Sequence, residues 1–321
     1  MKATNWTAYG TPDVLQLKDV EKPFPKNHEV LIKVYASTVT PGDCRLRACR
    51  VPRGFWLPTR LAFGLFKPRK PISGMEFSGE VELVGKDVSQ FKKGDRVYGT
   101  AGMSLGANAE YVCLSETKPL VKIPDHISYK DAVAIMFGGL TALHFLRDEA
   151  KVRSGQKVLV NGASGSVGTA AVQIAKYYGA EVTGICSEPN HELVMSIGAD
   201  HIIDYTRESF VDNGETYDII LDTVGNLSFS VCAKSLSSQG ELVLIVADLQ
   251  TTLQSVFNKQ LICGVADESK EALNFLLGLV DSGAFTSVID SLYPLEKTAE
   301  AHRYVDKGHK CGSVVLVVTD E

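Results

Sequence analysis

The sequence predicts an α/β protein in which a small, mostly antiparallel β-rich barrel or sandwich is joined to a doubly wound parallel sheet. Three observations predict it. Up to about residue 124, short runs of branched and aromatic residues are broken repeatedly by Gly and Pro, as at Pro41-Gly42, Gly74, Gly85 and Gly94-Asp95. From Pro124 to about residue 266, short apolar runs alternate with helical stretches, the pattern of a parallel sheet wrapped by helices. One such alternation, residues 158–168, is a strand that enters a glycine-rich turn and opens a helix.

In chain order, strands are expected at 30–35, 76–84 and 109–114, with no helical pattern before about residue 129. The alternating part then gives strands at 157–160, 181–186, 201–203, 219–222, 242–246 and 261–265. Helices are expected at 169–178 and 191–197. Helices at 270–283 and 298–308 and a last strand at 313–318 are assigned back to the first domain. The division is therefore 1–124 with 267–321 for one discontinuous domain and 125–266 for the other.

The 321 residues suit two domains of ~150 residues each. Hydrophobic residues make up 45% and charged residues 22%, which argues against a disordered or fibrous chain. No apolar run approaches the ~20 residues that span a bilayer, so stable membrane insertion is not expected. The formal charge of −5 gives no overall field for nucleic acid. Seven scattered cysteines without a C-x-x-C pair read as reduced thiols. Met1 to Trp6 contain neither an apolar signal core nor an Arg- and Ser-rich leader, so a cytoplasmic location is expected.

The stretch Asn161-Gly162-Ala163-Ser164-Gly165-Ser166-Val167-Gly168 carries the most chemistry. Glycine turns the backbone tightly and lets a diphosphate approach without a Cβ in the way. The helix that follows presents free N–H groups and the positive end of its dipole. Ala163-x-Gly165-x-x-Gly168 fits the dinucleotide fingerprint, with Ala for the first Gly. The next strand ends in Ser187, where NAD-binding chains usually place a carboxylate for the ribose hydroxyls. A hydroxyl there can donate to a 2′-phosphate that a carboxylate would repel, which favours NADP over NAD. A plain helix N-cap is the other reading of Ser187. Asn190, His191 and Tyr205 complete the expected pocket, although no Arg or Lys lies between Ser187 and Tyr205 and Glu188 adjoins.

With these motifs in this order, the chain resembles the medium-chain dehydrogenase/reductase superfamily, in its zinc-free quinone oxidoreductase branch. The resemblance runs nearly end to end. It rests on Met1-Lys2-Ala3, Tyr9-Gly10, Gly74-Met75-Glu76-Phe77-Ser78-Gly79, Lys93-Gly94-Asp95-Arg96-Val97, Gly139-Leu140-Thr141-Ala142, the loop 162–168, Gly198-Ala199-Asp200 and Gly308-His309-Lys310. It implies a GroES-like barrel for the first domain, a Rossmann sheet for the second and a cofactor in the cleft between them. It also admits a homodimer paired through edge strands of the Rossmann sheets.

In zinc-dependent relatives the ligand positions correspond to Thr40, Met75 and Phe137 here, none of which holds zinc in the usual way. The close run of four cysteines that binds structural zinc in such relatives is absent. No metal is therefore expected. Without a Lewis acid, the chemistry left is hydride delivery from NADPH to an already electrophilic carbon, in quinones or α,β-unsaturated carbonyl compounds. A hydrogen-bond donor aimed at the carbonyl oxygen would lower that barrier. By resemblance Thr40 is the candidate, the alternative being a simple turn residue before Pro41. The Tyr that many members carry a few residues later is replaced by Cys44-Arg45. The resemblance also puts Thr141 beside the nicotinamide, Val246 and Ala247 near its ribose, and Val224 with Gly225 along the adenosine half.

Residues 44–75 contain eight cations and no acidic residue, with apolar side chains between them. The segment reads as a lid over a greasy substrate, as a surface that touches anionic lipid, or as a loop covering core aromatics. Phe55 and Trp56 are the candidates for substrate contact. The expected function is an NADPH-dependent, zinc-independent quinone or enone reductase with a small-molecule electrophile as partner. The alternative is a catalytically silent NADP-binding structural or regulatory protein of the same fold.

Overall fold

The computed structural model describes residues 1–320. The first region contains β1 (Lys2–Trp6), β2 (Leu15–Asp19), β3 (Glu29–Val39), α1 (Pro41–Ala48), α2 (Trp56–Phe63), β4 (Glu76–Val84), β5 (Arg96–Thr100), β6 (Tyr111–Ser115) and β7 (Leu120–Lys122). The eleven-residue β3 is its spine. Its first half pairs with β6, its length pairs with β4, and register shifts beside Leu31 and Val34 curl the sheet. Val30, Ile32 and Val34 point inward onto Phe77, Val81, Val97 and Leu114 to form this region's core.

The helices α1 and α2 correct the expectation of no helix before residue 129. Helix α1 starts by a local device that periodicity does not detect. Thr40 is its N-cap, Pro41 its first residue, and Thr40 and Asp43 form a reciprocal capping box. Helix α2 buries no residue, so it lacks the inward apolar stripe by which a surface helix is recognised.

The second region contains α3 (Tyr129–Ala134), α4 (Met136–Leu143), β8 (Lys157–Asn161), α5 (Ser166–Tyr177), β9 (Glu181–Cys186), α6 (His191–Ser196), β10 (His201–Asp204), β11 (Tyr217–Asp222), α7 (Phe229–Cys232), β12 (Leu236–Leu244), α8 (Leu249–Ser255) and β13 (Leu261–Cys263). Its strands form one parallel sheet in the order β10-β9-β8-β11-β12-β13. Val158, Leu159 and Val160 are wholly buried, as a strand covered on both faces requires. The chain leaves β8 toward β9 on one side and returns to β11 on the other, so the crevice opens at the carboxyl ends of β8 and β11. Two strand limits differ from expectation. The strand expected at 242–246 begins at Leu236 and ends at Leu244. The strand expected at 261–265 ends at Cys263 and leaves Val265 exposed.

The last elements are α9 (Lys270–Asp281), β14 (Ile289–Pro294), α10 (Thr298–Asp306) and β15 (Ser313–Val317). Strand β15 pairs antiparallel with β3, so the end of the chain returns to the first sheet. On the way it passes the glycine turn: Gly312 N–H donates to Ser164 O at 2.9 Å. Among the described residues no helix is long and apolar enough to cross a membrane.

Candidate functional site

The elbow after β8 is built by its glycines. Gly162 has φ +81°, and a Cβ there would lie 2.6 Å from Thr223 Oγ1. A Cβ on Gly168 would lie 2.0 Å from Gly162 O, so this glycine lets helix α5 sit against the strand end. Gly165 differs. It is the N-cap of α5, and the nearest atom to a Cβ there is Gly162 O at 3.5 Å, which leaves its approach clear. No side chain caps the N–H groups that open α5 at Ser166, Val167 and Gly168. Two glycines thus serve packing, one keeps the entrance free, and the amides that open α5 are left without a side-chain cap. Ala163 is wholly buried. This cradle fits the diphosphate of a dinucleotide.

Beside it, buried Asp222 accepts from Asn161 Nδ2 and Val224 N at 2.9 Å, Gly225 N at 3.0 Å and Leu227 N at 2.9 Å. That carboxylate fixes the turn after β11. Val224 is half exposed, and Val246 packs on Gly225, so Val224, Gly225, Val246 and the elbow come together, with Ala247 following.

At the end of β9, Asn190 Nδ2 reaches Ser164 Oγ at 3.3 Å and Ser187 Oγ at 3.4 Å. Ser187 stands at the N-cap position of the short 3-10 turn Glu188–Asn190, and its hydroxyl makes no capping bond there. Tyr205 is exposed, and His191 Nε2 is buried without a hydrogen-bond partner, 4.0 Å from Asp204 Oδ2. Two cations lie near this end of the sheet although none falls in the 187–205 window. Arg207, two residues beyond the window, reaches back to Glu188. Lys310 arrives from the far end of the chain, its Nζ donating to Ser166 Oγ at 3.0 Å and Gly312 O at 2.6 Å. Burial pulls its ammonium down to about 8, against the attraction of Asp290. The thiol of neighbouring Cys311 donates to Asn190 Oδ1 at 2.9 Å. Lys310 lies within the Gly308-His309-Lys310 motif, but nothing in the spacing places that motif against residue 166.

A second corner gathers Thr40, Met75 and Phe137. A Cβ on Gly42 would lie 3.3 Å from Thr40 Oγ1, 3.5 Å from Met75 Cε and 3.7 Å from Phe137 Cε2. A hydroxyl, a thioether and a phenyl ring do not make a zinc site. Among the described residues no group of three or more His, Cys, Asp or Glu side chains is placed to hold a metal ion. Thr40 Oγ1 donates to Asp43 Oδ2 at 2.6 Å and accepts from Asp43 N at 3.1 Å. Its proton is therefore held by a carboxylate. Burial pushes that carboxyl up to about 6, even with the Thr40 bonds favouring the charged form. Buried Glu76, which accepts from Thr38 Oγ1 at 2.6 Å, is raised well above its ordinary value by burial. The Thr141 hydroxyl donates to Phe137 O at 2.7 Å, within its own helix.

Phe55 and Trp56 stand at the start of α2, next to the point where Arg53 O accepts from Leu249 N at 3.0 Å. Cys44 and His302 face each other at 3.3 Å, but burial drives His302 down to about 3 and the Cys44 thiol up, so the pair is two neutral groups and no activated nucleophile.

A family model of the alcohol dehydrogenase GroES-like domain matches residues 26–125, and one described as zinc-binding dehydrogenase matches residues 197–316. The zinc in the second description is not what the residues at the Gly42 corner fit. Human quinone oxidoreductase is 32% identical over 337 aligned residues, covering 99% of this chain and 98% of the relative. The solved structure of the quinone oxidoreductase from Coxiella burnetii is similar with a TM-score of 0.87 at 29% identity, covering 99% of both chains. A mycobacterial protein, Rv1454c, solved with NADPH, is similar at a TM-score of 0.81 and 26% identity, covering 99% of this chain and 100% of that one. Full-length similarity at that identity, on a GroES-like domain joined to a Rossmann sheet, places the chain among the quinone oxidoreductases of the medium-chain dehydrogenase/reductase superfamily, and it is an oxidoreductase.

Proposed function

We propose that this chain is an NADPH-dependent, zinc-independent reductase of quinones or α,β-unsaturated carbonyl compounds. We place it in the cytoplasm and divide it into 1–124 with 267–321, and 125–266. The observation that carries the reading is the uncapped elbow at Gly165 to Gly168, open where a diphosphate would dock and closed everywhere else by packing. The relatives' names and the NADPH-bound neighbour support the same reading. Ser187, Asn190, Tyr205 and Lys310 would hold the 2′-phosphate, and the turn at Val224 with Val246 and Ala247 would border the riboses. When bound, NADPH supplies the hydride.

The chain's own part lies at the Gly42 corner. With Asp43 ionised, the Thr40 proton points at the carboxylate. With Asp43 neutral, its acid proton faces Thr40 Oγ1, and the threonine proton is free for an oxygen placed against it. Asp43 then acts as the positioning group and Thr40 as the donor that meets negative charge developing on a carbonyl oxygen.

The test is NADPH and NADH consumption against a panel of quinones and enones, with and without EDTA, on protein assayed for zinc. Turnover with NADPH that survives chelation is expected. Saturable NADPH binding with no turnover on any acceptor would leave a silent binder, and no saturable binding would remove the reading altogether.

A further inference from the structure

Helix α2 is inside out. At 100° per residue, Leu57, Pro58, Leu61 and Ala62 share one side and Thr59, Arg60 and Phe63 the other. The first four are exposed and the last three half-buried. The polar Arg60 is the residue turned to the protein: its Nε donates to Cys49 Sγ at 3.2 Å, its Nη1 to Leu65 O at 3.0 Å, and its guanidinium lies 3.9 Å from the Tyr9 ring centre. Leu57 and Leu61 are more than half exposed. The loop after α2 leaves Phe66 87% exposed. Helix α8 continues the face, since Leu249 packs under Gly54; it adds exposed Leu253, and the turn after it adds Val256 and Phe257.

The charges around this face are cationic except at Asp248. Arg50, Arg53, Lys67, Arg69 and Lys70 are exposed, and none forms an ion pair among the described residues. Residues 44–75 and 249–266 contain no acidic side chain. Asp248, the N-cap of α8, is the carboxylate facing Arg53 at the rim. A contiguous exposed apolar face of this kind marks a contact site.

We propose that the face formed by α2, the 64–70 loop and α8 docks on anionic lipid, its aliphatic side chains entering the headgroup boundary and its five cations meeting lipid phosphates. Charge decides the occupant. A second copy across a two-fold axis would set these cations against themselves. Nucleic acid would use the cations but leave Leu57, Leu61 and Val256 without a partner. An anionic bilayer surface uses both. The proposal stands apart from the reductase reading, because binding to vesicles needs no cofactor or turnover.

The test is flotation of the full chain with phosphatidylcholine vesicles, with and without phosphatidylserine, at low and high salt. Binding is expected only with phosphatidylserine and is weakened by salt. Lys67→Glu/Arg69→Glu/Lys70→Glu should weaken it on the order of a hundredfold, about fivefold for each of the three charges removed. Leu57→Ser/Leu61→Ser should weaken it comparably, while Lys86→Glu/Lys93→Glu, outside the face, should leave it unchanged. All of these residues are exposed, and unchanged circular dichroism would show that the variants fold. No binding to anionic vesicles, equal binding to neutral ones, or variants that bind like the parent would overturn the proposal. So would self-association of the parent that Leu57→Ser/Leu61→Ser abolishes, since that outcome gives the face to a second copy.

Discussion

The elbow at 162–168 and the corner at Gly42 are the two halves of the candidate site, and they are made differently. The elbow is backbone: seven consecutive residues whose glycines set one strand end, one helix start and one clear approach. The corner is side chains from three distant segments, residues 40–43, 75–76 and 137, held by a buried carboxyl. A contiguous backbone device tolerates little change where a glycine leaves no room for a Cβ, as Gly168 does against Gly162 O and Gly162 against Thr223 and Val224. A corner assembled from side chains can exchange its chemistry while keeping its frame.

That difference is broken hardest at the glycines. Gly168→Ala would drive a Cβ onto Gly162 O, which no side-chain rotation relieves. A destabilisation of about 4 kcal/mol or more is expected, with a fall in Tm on the order of 10 °C by differential scanning fluorimetry. Gly165→Ala has room in the protein, so its Tm should stay near the parent's while NADPH affinity falls by about tenfold or more, the Cβ filling the approach. If both variants melted alike, the division of labour among the glycines would be wrong.

The corner is sharpened by pH. Asp43 holds its proton to about pH 6 in the folded chain, against 3.8 for a free Asp. Between those values the unfolded chain gives up the proton first. Stability from this group is therefore complete below the lower value and lost as pH climbs through the upper one, about 3 kcal/mol in all. Asp43→Asn removes the loss while keeping an acceptor for the Thr40 hydroxyl. Its Tm relative to the parent should rise from pH 4 to pH 7, and a difference independent of pH would show that Asp43 is ionised throughout.

The smallest effect tests what the C-terminal segment adds to the elbow. Lys310→Met should raise the Kd for NADPH by about tenfold, the worth of one charge-assisted bond, with NADH affected much less. Equal losses for both cofactors in a fluorescence titration would move Lys310 from the 2′-phosphate to the diphosphate.

The legible parts share a physical feature. The parallel sheet was visible because β8 and β9 are short and apolar, and the elbow because its glycines are consecutive. Helix α1 was missed because its start is a side-chain bond between Thr40 and Asp43 with no period to detect. Helix α2 was missed because its apolar residues point away from the core. Lys310, which meets Ser166 at the start of α5, is not legible from sequence near the elbow, since it is more than a hundred residues distant.

By itself the sequence determined the two architectures, the dinucleotide cradle and the absence of zinc ligands at the three matching positions, because each depends on residue type within a short window. Only the tertiary structure decided that Lys310 and Cys311 lie against the glycine turn, that the Thr40 proton is spent on a buried Asp43, and that α2 turns its leucines to solvent. Those three facts depend on which distant backbones meet, and on burial, which local spacing does not encode.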